Sequence, residues 1–387
     1  MKKTLAVVGA VALAGVLTVT AAGCSTKTRN LASLSSNWYY DTDFKRIQPT
    51  FTEEAAEKLT YMVTQAEPSK NATYSVKYAN GTYTTEFYAK KITATELAEI
   101  TLEEWREDYT KALGKDGYMY LYYYATELLL PSITFTCGKD SETFTDQSVV
   151  TESYFLSVED YLRPVYSVRT VNRAIPRERK ASSLADCYYK VDMVYESFYT
   201  LSGNNLHTKI TTYTTDEQTQ ERKESTEPFP LGGLSSYDNS VFDVAYLDIV
   251  VRAMRNVSSS FSQTIGIYTP GLQLRDYTVS STRKALFEGK DADRDSFVIE
   301  SILKDKGLFT PKPVDESDPQ KGETTLQTAA VTVSYNGGSY SGVSQTYWFA
   351  VGDGNNETRT LMLRYSEPLY YNLGTLDYIL SSIDNIS

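Results

Sequence analysis

The stretch Tyr74-Ser75-Val76-Lys77-Tyr78 is followed by Asn80-Gly81 and then by Tyr83, Thr85 and Phe87. Strict alternation of apolar and polar residues has the period of a half-buried strand. Asn-Gly favours a two-residue hairpin turn, because both central positions take positive φ. In that register Tyr78 faces Tyr83, Val76 faces Thr85 and Tyr74 faces Phe87 on one side, with Lys77–Thr84 and Ser75–Glu86 on the other. A second alternating pair predicts another long hairpin: Tyr189, Val191, Met193 and Tyr195 against Leu206, Thr208, Ile210 and Thr212, across Ser202-Gly203-Asn204-Asn205.

Helical spacing stands before, between and after these hairpins. Pro49 and Thr52-Glu53-Glu54 open a helix that buries Ala55, Leu59, Met62 and Val63. Thr101 and Glu104 form a capping box before Trp105, Tyr109, Ala112 and Leu113, with Gly114 and Gly117 as the stop. Asp238-Asn239-Ser240 caps a helix from Val241 towards Phe261, apolar almost all round and therefore packed on more than one side, with Asp248 and Arg252 paired one turn apart. Strands are expected across 118–154, at 265–268, 272–279, 330–335, 346–351 and 358–365, before a last helix carrying Leu373, Leu376, Ile379, Leu380 and Ile383. The fold class is α+β: antiparallel β-sheets with a few packed helices. The closing hairpin and helix resemble the end of the PsbP-like group of small α/β proteins over fewer than fifty residues, with no diagnostic motif and no activity to carry over.

At 387 residues the chain is long enough for one large or two medium domains. Residues 214–236 turn polar and then rich in Pro and Gly, which divides residues 38–230 from 231–387 as two α+β domains, or marks a long exposed loop within one. The net charge of −11 excludes non-specific binding to nucleic acid or to an anionic membrane surface. Tyrosine is abundant, at 32 residues, which suits strand formation and also stacking against sugars.

The amino-terminal run resembles a bacterial lipoprotein signal. Lys2 and Lys3 precede an uncharged stretch from Thr4 to Ala22, and Ala21-Ala22-Gly23 stand directly before Cys24. Ala21 departs from that family, where leucine is more usual three before the cysteine. The resemblance implies a signal peptide over residues 1–23, a tether over 24–37, and a diacylglycerol thioether on Cys24. Two acyl chains hold a protein firmly at a membrane without a spanning segment. An uncleaved transmembrane helix and an ordinary secretory signal are the competing readings of the same run. A lipid-anchored chain would face the extracytoplasmic side of the cell membrane, where Cys137 and Cys187 either bridge or remain two buried thiols.

Motifs for chemistry are sparse. His207 is the only histidine, which excludes a metal site built on several, and no G-x-S-x-G elbow accompanies it. Ser301 and Lys304 match S-x-x-K without a K-T-G element. Asp291, Asp293 and Asp295 resemble the start of an EF-hand or dockerin calcium loop, with Val298 in the expected apolar place. Ser296 stands there for the glycine and Ile302 for the closing glutamate; the alternative is a solvated acidic cap on the next helix. The expectation is a cell-envelope lipoprotein with a non-catalytic binding or scaffolding role towards a protein or carbohydrate ligand, with no cofactor beyond the lipid. The alternatives are a carboxylate-dependent carbohydrate-active hydrolase and the solute-binding lipoprotein of a transporter.

Overall fold

Inward and outward side chains alternate along almost every segment, and the backbone follows that period. The computed structural model describes residues 57–66, 73–158, 161–177, 181–202, 205–213, 220–228, 241–253, 261–269, 273–285, 292–309, 327–337, 344–350, 361–369 and 373–386. Strand accounts for 70% of it and helix for 15%. The α+β expectation is corrected accordingly: the chain is mostly β, one mixed sheet of 16 strands.

The first group of strands is β1 (Glu57–Ala66), β2 (Ser75–Tyr78), β3 (Gly81–Thr93), β4 (Tyr118–Cys137), β5 (Asp140–Val158), β6 (Tyr161–Pro176), β7 (Tyr188–Tyr199), β8 (Asn205–Tyr213) and β9 (Gln220–Pro228). The second is β10 (Val241–Asp243), β11 (Phe261–Thr269), β12 (Gln273–Ala285), β13 (Gln327–Tyr335), β14 (Ser344–Ala350), β15 (Met362–Pro368) and β16 (Thr375–Ile386). Their order is β10-β11-β12-β13-β14-β15-β16-β1-β3-β4-β5-β6-β7-β8-β9, with β2 on β4. Among the described strands only β10 on β11 is parallel. The division expected near residue 230 separates the two groups, yet β16 on β1 joins them into one sheet, and one apolar core holds residues of both.

Two predicted helices are strands, the second of them because of its bulges. β1 and β16 pair with each other, and the register skips Ser381 and Asp384 at two β-bulges. Each bulge adds a residue without advancing the ladder. The buried side chains Leu376, Tyr378, Leu380 and Ile383 therefore stop alternating and acquire the three-residue step of a helix. The closing helix of the ending that resembles the PsbP-like group is thus a strand, paired to the β14–β15 hairpin before it. In β1, Glu57, Leu59, Tyr61 and Val63 point inward while Met62 is exposed.

The Asn80-Gly81 hairpin is also corrected. β2 does not fold back on β3; both run along β4 in one continuous register, Tyr78 opposite Ile133 and Thr82 opposite Leu129. Residues 79–81 cross a crease in the sheet. Pro131, with no amide hydrogen to give, lies opposite them and opposite Asp146 of β5, which has φ 54°. At this line the buried positions change parity in all three strands. Val76 and Tyr78 give way to Tyr83 and Thr85, Leu128 and Leu130 to Ile133 and Phe135, and Gln147 and Val149 to Phe144. Gly81 serves a close approach: a Cβ there would lie 2.3 Å from the Leu129 carbonyl oxygen and 2.8 Å from Leu130 Cδ2. Gly81→Ala is expected to cost about 1–3 kcal/mol by overpacking, read as a lower urea midpoint with unchanged slope. An unchanged midpoint would contradict this packing.

The hairpin of β7 and β8 is present, with Met193 opposite Thr212 and Tyr195 opposite Ile210. The strands expected at 265–268, 272–279, 330–335, 346–351 and 358–365 are present with shifted ends, as β11 to β15. The Thr101/Glu104 box is absent: Leu102 leads a 3-10 turn over Glu103–Trp105, and Thr101 donates to the Leu97 carbonyl instead, at 2.8 Å. Capping boxes form instead at Thr93 with Glu96 and at Ser183 with Asp186. The helix Arg106–Lys111 then lies on the outer face of the sheet, over a small core that includes Met119, Leu121 and Leu156.

Candidate functional site

The segment predicted as one long helix from Val241 is a composite: β10, a 3-10 turn over Val244–Tyr246, and a helix Leu247–Ala253. Its cap is Asp243, whose carboxylate accepts from the Ala245 amide at 2.8 Å, whereas residues 238–240 lie outside the described residues. The expected burial on every side is met, since Phe242 to Leu247 and Ile249 to Arg252 are all buried. The sheet curls round this plug. β5 reaches it through Ser153, which donates to the Ala245 carbonyl, and β7 through Tyr195, Ser197 and Tyr199, which all donate to Asp243. Ser153, Ser167, Ser197 and Thr208 stand opposite one another on four neighbouring strands. Small side chains in that row leave room for the plug's backbone.

From the other side, β1 holds the plug by Glu57 on Arg252, and β3 and β14 by Tyr83 and Tyr347. The Asp248–Arg252 pair of the sequence is therefore replaced. Arg252 binds Glu57, and Asp248 accepts from the Tyr83 hydroxyl at 2.8 Å and the Tyr347 hydroxyl at 3.1 Å. Tyr347, Tyr365 and Tyr378 stand opposite one another across β14, β15 and β16, with ring centroids 4.5 and 4.7 Å apart. Tyr83 continues the column edge-on to Tyr378 at 5.3 Å.

Between plug and strands lies a cavity of about 60 Å³, walled in part by apolar residues (Leu128, Val149, Leu247) and in part by charged and hydroxyl groups. At roughly 10–15 Å³ per molecule it has room for about four to six waters. Arg169, Asp248, Gln345 and Glu367 line it together with the four tyrosines of the column. Arg169 donates to the Thr151 hydroxyl at 3.0 Å, and Glu367 accepts from the Tyr378 hydroxyl at 3.0 Å.

Burial raises both carboxyls above their ordinary range. For Asp248 the Tyr83 and Tyr347 hydroxyls and then Arg169 oppose it; for Glu367 Arg173, the Tyr378 hydroxyl and Arg169 do. Asp243 is likewise raised by burial, against four donated hydrogen bonds. A carboxyl whose folded-state value is raised binds protons more readily folded than unfolded. Its contribution to stability is complete below the ordinary carboxylate value of about 4 and is lost as pH rises through the folded value. The melting temperature is therefore expected to rise as buffer is taken from pH 8 towards pH 5, and Asp248→Asn with Glu367→Gln should flatten that rise. A melting temperature that falls throughout this interval would contradict the assignment.

None of the residues put forward from sequence as candidates for lipidation, disulfide, metal or catalysis lines this cavity; Asp248 and Tyr83, named there only as a helix pair and a hairpin position, do. Cys24 and Asp291 lie outside the described residues, and Asp293 and Asp295 fall within the helix Ala292–Asp305. Among the described residues no group of three His, Cys, Asp or Glu is placed to hold a metal ion. Ser301 and Lys304 are exposed on that helix. His207 lies within β8, against the Thr226 hydroxyl, and partial burial followed by Lys209 lowers its pKa. Cys137 and Cys187 are free thiols. Arg169 and Glu367 carried a usable signal: each is an ionisable residue at an inward position of its strand, in step with Val171 and with Tyr365.

Fold and cavity together define a class: a mostly β protein whose curled sheet grips a buried helical plug, with a cavity bearing charged groups between them. No protein-family model matches the chain, and no curated protein matches it. Among solved structures it is similar to a β-barrel-like protein of the domain of unknown function DUF1849 from Brucella abortus. Identity is 9%, covering 86% of this chain and 98% of that one, with a TM-score of 0.38. At that score the likeness carries no argument. Among the described residues no helix is long and apolar enough to cross a membrane.

Proposed function

We propose that the chain is a lipid-anchored binding protein on the outer side of the cytoplasmic membrane, and that its ligand site is the chamber between plug and sheet. Ala21-Ala22-Gly23-Cys24 supports the address. The observation that carries the binding role is a chamber in which Arg169 stands with the buried Glu367, the part-buried Asp248 and a column of tyrosine hydroxyls. Arg169 and, behind Glu367, Arg173 face the two acids, and the volume is a few waters. The site therefore suits a small uncharged polar molecule, or one such group of a larger ligand, that replaces water bonds with protein bonds.

Two measurements test this. Cys24→Ala should abolish lipid labelling of the full chain in cells; a labelled variant would overturn the anchor. The full chain in detergent is then screened by thermal shift against small sugars, polyols and amides. A ligand at a hundred times its dissociation constant stabilises by about 2.7 kcal/mol, and Arg169→Met should remove that shift. No shift from any compound, or one that survives Arg169→Met, would overturn the site.

One observation favours the hydrolase reading. Burial that raises two carboxyls in one chamber is how a general acid is kept protonated near neutrality. Against it, each carboxyl is already bonded by tyrosine, and the chamber is far too small for sugar rings on both sides of a glycosidic bond. Hydrolysis of a polysaccharide by the purified chain would reverse that choice. The two α/β lobes and hinged cleft that a transporter's solute receptor needs are absent among the described residues.

A further inference from the structure

We propose that Cys137 and Cys187 form a dithiol that closes to an intramolecular disulfide by exchange with an external disulfide, tying the end of β4 to the start of β7. Sequence spacing left open whether these thiols meet, and the fold brings them together. Cys137 ends β4, and Cys187 immediately precedes Tyr188, whose ring packs 5.2 Å from Phe135 and 4.7 Å from Phe144. The Tyr188 hydroxyl also bonds Glu142, the residue opposite Phe135 on β5. The chain at 187–188 is thereby laid against the β4–β5 turn, and the two thiols are within hydrogen-bonding reach of each other.

Their surroundings differ, and that difference sets the order of events. Cys187 is wholly buried, its sulfur donates to the Ser183 carbonyl at 3.4 Å, and burial, then its contact with Cys137, push its pKa up to about 12. Cys137 is partly exposed at the edge of the core. An oxidant of the class RS–SR can reach only Cys137. The Cys137 thiolate attacks one sulfur of RS–SR, the S–S bond breaks, one RS⁻ leaves, and a mixed disulfide remains on Cys137. Cys187 then gives up its proton, and its sulfur attacks the Cys137 sulfur and expels the second RS⁻. Two electrons and two protons have left the pair, and two RSH have formed. The proton held on Cys187 makes the second step the slow one.

The chemistry belongs to the fold and does not depend on where the chain is anchored; the compartment decides only whether an oxidant meets it. The test accordingly uses the full chain carrying Cys24→Ala, which leaves these two as its only thiols. It is incubated with oxidised glutathione in detergent, alkylated, and read by peptide mass spectrometry. The expected product lacks two hydrogens, carries no glutathione, and has lost both alkylation sites. With Cys187→Ser added, one glutathione should remain on Cys137; with Cys137→Ser added instead, folded Cys187 should take none. The bridge closes a loop of about fifty residues, so the oxidised chain should melt higher by about 5 °C or more. Two thiols still alkylated, a lasting adduct on Cys187, or an oxidised form that melts lower would each overturn the proposal.

Discussion

Arg252→Met is expected to lower the unfolding free energy of the full chain by about 3–5 kcal/mol, because it leaves a carboxylate buried without its partner. Glu57 begins β1 and Arg252 lies near the end of the plug helix; the guanidinium grips the carboxylate at 2.5 and 2.9 Å, Nη1 to Oε1 and Nη2 to Oε2. Their side chains are only 8% and 4% exposed, so water cannot take over when one is removed. The pair also fastens the plug to the place where the two groups of strands join. Urea unfolding with an unchanged slope reads the loss. Glu57→Gln combined with Arg252→Met should recover most of it, since neither partner is then left charged and alone. A loss below about 1 kcal/mol for the single variant would mean that this pair behaves like a surface ion pair.

Asp243→Ala should be at least as damaging. Its carboxylate receives Tyr195 at 3.2 Å, Ser197 and Tyr199 at 2.8 Å each, and the Ala245 amide at 2.8 Å, all in the core. Each buried donor left without an acceptor costs about 1–3 kcal/mol. The total is then on the order of the whole stability of a domain, roughly 5–15 kcal/mol, and the variant is expected not to fold. Asp243→Asn keeps one oxygen for the amide and removes the buried charge. It should fold, lose roughly 1–3 kcal/mol, and lose the part of the stabilisation on acidification that this carboxyl supplies. Soluble, fully stable Asp243→Ala would show that the hydroxyls find other acceptors and that the plug is not held this way.

How far the chain could be read in advance varied with how locally each element is specified. The β7–β8 hairpin was legible because its alternation and its Ser202–Asn205 turn agree. The Tyr74–Phe87 stretch offered the same two signals and misled. Its partner is β4, and Pro131 and Asp146, fifty and more residues away, convert a hairpin into a crease. β16 misled by its bulges, which only its pairing with β1 creates. Asp248 was visible, though with the wrong partner, because Tyr83 and Tyr347 come from strands far off in sequence on either side of it.

Taken alone, the sequence determined the strand-forming period, the charge, the scarcity of histidine and the small-residue tripeptide before Cys24. These depend on residue type and short spacing, which no distant contact alters. Tertiary structure alone decided that one sheet serves both halves, that the most apolar segment became its plug, that a charged chamber formed beside it, and that Cys137 meets Cys187. Each of these is a meeting of residues from remote strands, and which strands meet is set by the whole sheet's register and curvature rather than by any local run.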